Sequence, residues 1–220
     1  MKKKNLMKSL TALVLSVLMV LSLAACGAKP SDGGKDEDKD GYTVAIIKQM
    51  DHASLDEIAD AIAARLDAIA QEQNVSIRYT ITSGQGDQSV LKQLADQAVA
   101  DKVDAIIPIA TTAAQVSAVA TEDSRTPVVY AAISDPDTAK LTGIDYVTGT
   151  SDALNTEYIL DMMLAQDPGV SKVGLLYSLS EPNSTKPIAE AKAYLEQHGI
   201  TCVEQTANTN DEVVAAAAAL

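Results

Sequence analysis

Thr43-Val44-Ala45-Ile46-Ile47, Val103-Asp104-Ala105-Ile106-Ile107-Pro108-Ile109 and Pro127-Val128-Val129-Tyr130-Ala131-Ala132-Ile133 are three short, nearly continuous apolar runs. A strand with one wet face alternates apolar and polar residues. A strand covered on both faces does not, so runs of this kind predict strands of a parallel sheet sandwiched between helices. The intervening segments support that reading. After the first run, Ser54-Leu55-Asp56-Glu57 fits a capping box, and Ile58, Ile62, Leu66 and Ile69 recur at helical spacing. Ser76–Thr82 reads as a second strand. Residues 87–100 read as a helix with Leu91, Leu94, Ala95 and Ala98 on one face, and 112–120 as an Ala/Val-rich helix. Gly143–Val147 reads as a short fifth strand.

The cycle then restarts. Residues 155–165 read as a helix, 172–177 (KVGLLY) as a strand, and 183–197 as a helix closed by His198-Gly199. Residues 200–204 form a strand, and 211 onward a helix. Alternation of this kind predicts an α/β protein of parallel sheets flanked by helices. The first block, residues 42–150, holds enough strands for a complete lobe. The second, residues 151–220, holds two strands and a helical run, Ala215 to Leu220, without a stop signal. The expectation is an incomplete second lobe, about a third of the natural protein being absent from this chain.

The start of the chain speaks to location. Lys2, Lys3, Lys4 and Lys8 precede an apolar stretch from Leu10 to Ala24, followed by Leu23-Ala24-Ala25-Cys26. This order reads as a secretion signal over residues 1–25. Leu-Ala-Ala-Cys resembles the bacterial lipobox, which predicts a lipid on Cys26 and a position on the outer face of the bacterial cytoplasmic membrane. Residues 26–41 are small, polar and charged, and read as a flexible tether. Beyond the signal, 13 Lys and Arg face 30 Asp and Glu. So acidic a chain lacks the cations that displace counterions from nucleic acid or bind anionic lipid, so the lipid must do the anchoring. With Cys26 committed to lipid, Cys202 has no disulfide partner. Two cysteines and two histidines match no zinc spacing. No metal or cofactor is expected. The chain has no Phe or Trp, and its core must rest on Ile, Leu, Val, Ala and Tyr.

In an open α/β sheet, ligands bind beyond the carboxyl ends of the strands. Here those ends are small, hydroxylic or acidic. They supply His52; Gln85 and Asp87; Thr111 and Thr112; Ser134 and Asp135; Ser151 and Asp152; and, in the second block, Glu181 and Ser184. Such residues also cap helices, but paired Thr111-Thr112 and the bracketing of Gln85 by Gly84 and Gly86 favour close approach of a ligand to backbone N–H groups. His52 reads as part of a cleft wall. Catalysis is not expected. Gly84-Gln85-Gly86 continues to Ser89 rather than glycine. No Gly-Lys-Ser/Thr loop or Gly-x-Ser-x-Gly elbow exists, and no nucleophile is placed for His52 to activate. None of Arg65, Arg78 and Arg125 falls at a strand end, so no arginine clamp for carboxylate or phosphate is seen. Hydroxyls and N–H groups around Thr111, Thr112, Ser151 and Ser184 suit a carboxylate, and Asp135 and Asp152 an ammonium. Tyr130, Tyr146 and Tyr177 are the available flat partners for an aromatic side chain.

Six stretches in order carry a resemblance: Asp51-His52-Ala53-Ser54-Leu55-Asp56, Gln85-Gly86-Asp87-Gln88-Ser89, Ala110-Thr111-Thr112-Ala113-Ala114-Gln115, Ser134-Asp135-Pro136, Thr148-Gly149-Thr150-Ser151-Asp152 and Ser180-Glu181-Pro182-Asn183-Ser184. With them the chain resembles the ABC-transporter substrate-binding lipoproteins of the tryptophan/tyrosine type. It departs from them in having Ala53 where proline is common, and in a short connection over residues 140–147. The resemblance implies a class I periplasmic-binding-protein fold, two lobes joined by crossing strands. It also implies a small-molecule solute, often an aromatic amino acid, held in the cleft, and an ABC permease in the same membrane as partner. A sensor module signalling to a membrane partner, or a sugar-like solute, is the alternative. A secreted enzyme on the same fold is a third reading.

Overall fold

The computed structural model describes residues 41–220; the expected signal segment, Cys26 and nearly all of the tether lie outside them. Five strands form one parallel sheet in the order β2-β1-β3-β4-β5. They are β1 (Gly41–Lys48), β2 (Ser76–Ser83), β3 (Ala105–Ile109), β4 (Val128–Ile133) and β5 (Val147–Ser151). Helix α1 (Ala53–Gln73) covers one face, and α2 (Gln88–Ala100) and α3 (Thr111–Ala120) the other. The apolar runs explain this division. On β1, Val44 and Ile46 pack toward α1, while Ala45 and Ile47 pack toward α2. Ile46, Ile47, Ile106, Ile109 and Ile133 are essentially inaccessible, each contributing about 1.5–3 kcal/mol by leaving water.

The second lobe holds α4 (Thr156–Gln166), β6 (Lys172–Tyr177), a 3-10 turn (Pro182–Ser184), α5 (Thr185–Gln197), β7 (Thr201–Thr206) and α6 (Asn210–Ala219). Strands β6 and β7 pair in parallel over six residues. Their core is Leu160, Ala191, Tyr194, Leu195 and Ile200.

Three local expectations are corrected. The cap of α1 is not Ser54. The helix begins at Ala53, and His52 is the cap, its Nδ1 accepting from the Ser54 N–H at 3.2 Å. An imidazole acceptor on extended backbone serves the first turn as well as a hydroxyl does, so the capping frame shifts by two residues. Strand β5 lies later than residues 143–147, because Gly143, at φ +76°, belongs to a turn. Val147, Thr148, Gly149 and Ser151 are the residues that pair with β4. The helix expected from residue 183 opens instead as a 3-10 turn, and the α-helix begins at Thr185. Proline at the first position of that turn is compatible with a tight helical start but not with a longer upstream helix.

Two irregularities sit at the carboxyl ends. Pro108 lies inside central strand β3, where proline is unusual. Its neighbours Ile106 and Ala110 both donate to the β4 side, to Pro127 O at 2.9 Å and Ala131 O at 3.1 Å. The missing N–H therefore falls between two intact bonds. Further along, β4 bulges, with Tyr130 opposite Gly149 and Ile133 opposite Ser151, and Ala132 at φ +57°. A bulge beside a strand end re-aims the residues that follow, here Ser134 and Asp135.

Candidate functional site

The parallel sheet brings the ends of β1, β3, β4 and β5 to one edge, and the segment after β6 meets that edge. Gln49 stands at the meeting point. It directly follows β1 and is 6 % exposed. Its backbone N–H donates to Ile109 O at 3.1 Å. Its side-chain Oε1 accepts from the Thr112 N–H at 3.0 Å, in the first turn of α3. Its Nε2 donates to both carboxylate oxygens of Glu181, at 3.2 and 3.1 Å, from the second lobe. One buried amide thus links a helix start in the first lobe to a carboxylate in the second.

Helix α3 has no side-chain cap. Its N-cap is Ala110, at φ +76° and ψ 163°, a region that costs a non-glycine residue about 1–3 kcal/mol and tends to persist at functional sites. The Gln49 amide supplies in trans what a capping side chain would supply locally. Thr111 is buried and Thr112 half-buried at this turn. The partial positive charge of the helix start faces the same edge.

Asp135 carries three side-chain polar contacts. Its Oδ1 accepts from the Thr138 N–H at 3.1 Å and its Oδ2 from Thr138 Oγ1 at 2.9 Å. Lys186 Nζ, from α5, lies 3.0 Å from Oδ2. The Thr138 backbone N–H, then Lys186, then the Thr138 hydroxyl draw its pKa down to about 2. Asp135 therefore closes a turn and already holds an ammonium. Asp152 has only a neutral donor, Ser134 Oγ at 3.1 Å.

The other expected residues scatter in role. Asp87 is the N-cap of α2, its Oδ1 accepting from the Ser89 and Val90 N–H groups at 2.7 and 3.2 Å, which lower its pKa. Gln85 is exposed at φ +54° beside Gly86 at φ +75°, its N–H donating to Ser83 Oγ at 3.2 Å. His52 is an exposed cap. Ser151 ends β5 and accepts from the Ala153 N–H at 3.2 Å. Ser184 ends the 3-10 turn directly before α5. The sheet gathers Thr111, Thr112, Ser134, Asp135, Ser151 and Asp152 at one edge, and contacts from the second lobe add Glu181. The tyrosines do not join them. Tyr130 is buried in the core with Ala114, Ile133 and Leu141. Tyr146 precedes β5, at the opposite end of the sheet, under the Arg125 guanidinium. Tyr177 donates to Glu204 Oε2 at 2.9 Å within the second lobe.

Residue-by-residue reading passed over three groups. Gln49 is the first polar side chain after a buried apolar run. Lys186 is a cation in a first helical turn, where the helix dipole opposes it. Lys48, 13 % exposed, pairs with Asp51 at 3.0 Å and with Asp56. Its pKa is raised, chiefly by Asp56. Among the described residues no group of three or more His, Cys, Asp and Glu could hold a metal ion.

Residues 43–220 match the family model described as ABC transporter substrate binding protein. The chain is 28 % identical over 216 residues to a tyrosine-binding protein of Clostridioides difficile, covering 94 % of this chain and 62 % of that one. A crystal structure of an ABC domain in complex with L-Trp from Streptococcus pneumonia superposes with a TM-score of 0.71 at 32 % identity, covering 80 % of this chain and 60 % of the other. A conserved domain protein from Vibrio cholerae superposes with a TM-score of 0.72 at 27 % identity, covering 81 % and 61 %. The chain thus spans about three fifths of the length of these relatives. The shared architecture is the class I periplasmic-binding-protein fold, and the family is one of binding proteins rather than enzymes. The chain belongs to the ABC transporter substrate-binding protein family.

Proposed function

We propose that this chain is the solute-binding part of an ABC importer, anchored through lipid on Cys26 to the outer face of the bacterial cytoplasmic membrane, and that its cleft takes a zwitterionic, aromatic amino acid. One observation carries the reading: the first lobe's strand ends and the start of α3 meet the Glu181 segment of the second lobe through the buried Gln49 amide. That arrangement sets N–H groups and hydroxyls for a carboxylate beside carboxylates for an ammonium. A relative described as tyrosine-binding and a neighbour solved with L-Trp support the choice of solute class. The ammonium falls to Asp152 and Glu181, which here meet neutral donors, rather than to Asp135, which already holds Lys186. The aromatic ring meets the apolar side chains of these loops, Met50 and the exposed Leu179, since the tyrosines expected to receive it lie elsewhere.

Saturation-transfer NMR tests this, because it detects weak as well as tight binding. L-tyrosine and L-tryptophan should show saturation and titrate, whereas glucose and inorganic phosphate should not. Glu181→Gln should weaken amino-acid binding about tenfold or more, as expected for loss of a hydrogen bond to a charged group. Equal saturation of glucose, or an unchanged affinity in Glu181→Gln, would refute the site as drawn.

A further inference from the structure

Of the contacts between the lobes, one is unusual in its chemistry. Lys186 lies in the first turn of α5. A cation there is opposed by the helix dipole, and no acidic residue occupies that turn to offset it. Its ammonium instead reaches out of its own lobe to Asp135 Oδ2, at 3.0 Å. The receiving carboxylate is prepared for it. Asp135 is 13 % exposed at its side chain, and Thr138 pins both of its oxygens. The β4 bulge sets the direction in which the residue leaves the sheet. An exposed lysine that meets an immobilised, half-desolvated carboxylate loses less conformational freedom in pairing than two mobile side chains would.

The position of the contact matters as much as its strength. Glu181 and Lys186 leave the second lobe from one short segment, residues 181–186. They land on the ends of β1 and β4, which are separated by β3 and so stand about 10 Å apart. A single tie leaves a lobe free to rotate about it. Two ties at that separation leave only rotation about the line that joins them.

We propose that Lys186 is a positioning residue, which holds the second lobe on the strand ends of the first through Asp135. Lys186 acts as a tethered stand-in for a cationic group at Asp135. Gln49 to Glu181, an amide donating to a carboxylate, gives the second point, so the protein's own side chains join the lobes at two places. This role goes beyond the assignment of an amino-acid solute. Its test contains no solute, so its failure would leave that assignment standing.

Nitroxide labels at Asp123→Cys in the first lobe and Glu196→Cys in the second, in the full chain with Cys26→Ser and Cys202→Ala, report the distance between lobes by pulsed electron resonance. Lys186→Met and Asp135→Asn should each shift the distribution to longer and broader distances. The double variant should go no further than the longer of the two, because both remove one bond. Lys186→Arg should overlay the parent. Asp135→Asn keeps one acceptor oxygen, for the Thr138 N–H, and its amide NH2 can donate to the Thr138 hydroxyl, so the turn survives. Distributions of Lys186→Met and Asp135→Asn that overlay the parent would overturn the proposal. So would shifts that add in the double variant, since the two residues would then act separately.

Discussion

Asp135 accepts two hydrogen bonds from Thr138 and an ion pair from Lys186, and its charged form is therefore favoured in the folded state. Folding lowers its pKa from an ordinary 3.8 to about 2. A depressed carboxylate contributes stability that is present above the unfolded value and is lost as pH falls through the folded one. The window is thus about pH 4 down to about pH 2. Asp135→Asn, which cannot titrate, should melt below the parent at neutral pH, and the gap should narrow as the pH is lowered through that window. Thermal melts of the two proteins between about pH 2 and 7 provide the measurement, and a constant gap across the range would contradict the assignment. The same residue shows what a sequence conceals. Its place after an apolar strand and before Pro136 marks it as a strand-end carboxylate, which it is. That its partner would be a lysine on the far lobe has no local signature.

At the scale of elements, β4 and β5 show how a single glycine fixes a register. Gly149 lies opposite Tyr130. A Cβ built there would fall well inside contact distance of the Tyr130 carbonyl oxygen and ring. Tyr130 in turn is packed between the sheet and α3 by Ala114, Ala118 and Leu141, so it cannot retreat. Gly149→Ala should destabilise the fold by about 3 kcal/mol or more, at or above the upper end of what overpacking costs. A urea midpoint close to the parent's would show that β5 can slide away from Tyr130. The same packing explains the misplaced fifth strand. Residues 143–147 (GIDYV) and 147–151 (VTGTS) both carry β-branched residues, and the fit of Gly149 against Tyr130 belongs to the later segment. Helix α1 makes the complementary point. Its apolar spacing at Ile58, Ile62 and Leu66 specifies which face packs on the sheet, but not whether Ser54 or His52 caps it, because either acceptor satisfies the first-turn N–H groups.

For the whole molecule, the folded region is strongly acidic beyond the first 25 residues, and among the described residues no helix is long and apolar enough to cross a membrane. The proposed lipid anchor on Cys26 lies outside the described residues. Cys26→Ala should leave the thermal melt of the domain unchanged and move the protein from the detergent phase to the aqueous phase in a partition assay. Continued recovery in the detergent phase would rule out lipid on Cys26 as the anchor. The two lobes differ in how much of them is local. Each strand of the first sheet is flanked by a strand or helix close in sequence, and each buried run is long enough to announce itself. The contacts between lobes are not local. Gln49 and Glu181 are separated by 132 positions, and nothing in the composition of either loop pairs one with the other.

The sequence by itself determined the parallel α/β architecture and the edge of the sheet at which the polar strand-end residues gather. Uninterrupted apolar runs have no stable arrangement except burial on both faces, and parallel strands put all their carboxyl ends at one edge. It also determined the acidic character of the domain, which is a sum over residues and independent of folding. Only the tertiary structure decided which strand-end groups remain available. Asp87 and His52 are spent on helix caps, Asp135 on a turn and on Lys186, and Tyr130 on the core. Gln49, an ordinary amide in the sequence, becomes the junction of both lobes. Those outcomes depend on distances between segments far apart in the chain. Such distances are set by packing many side chains at once, and no local pattern encodes them.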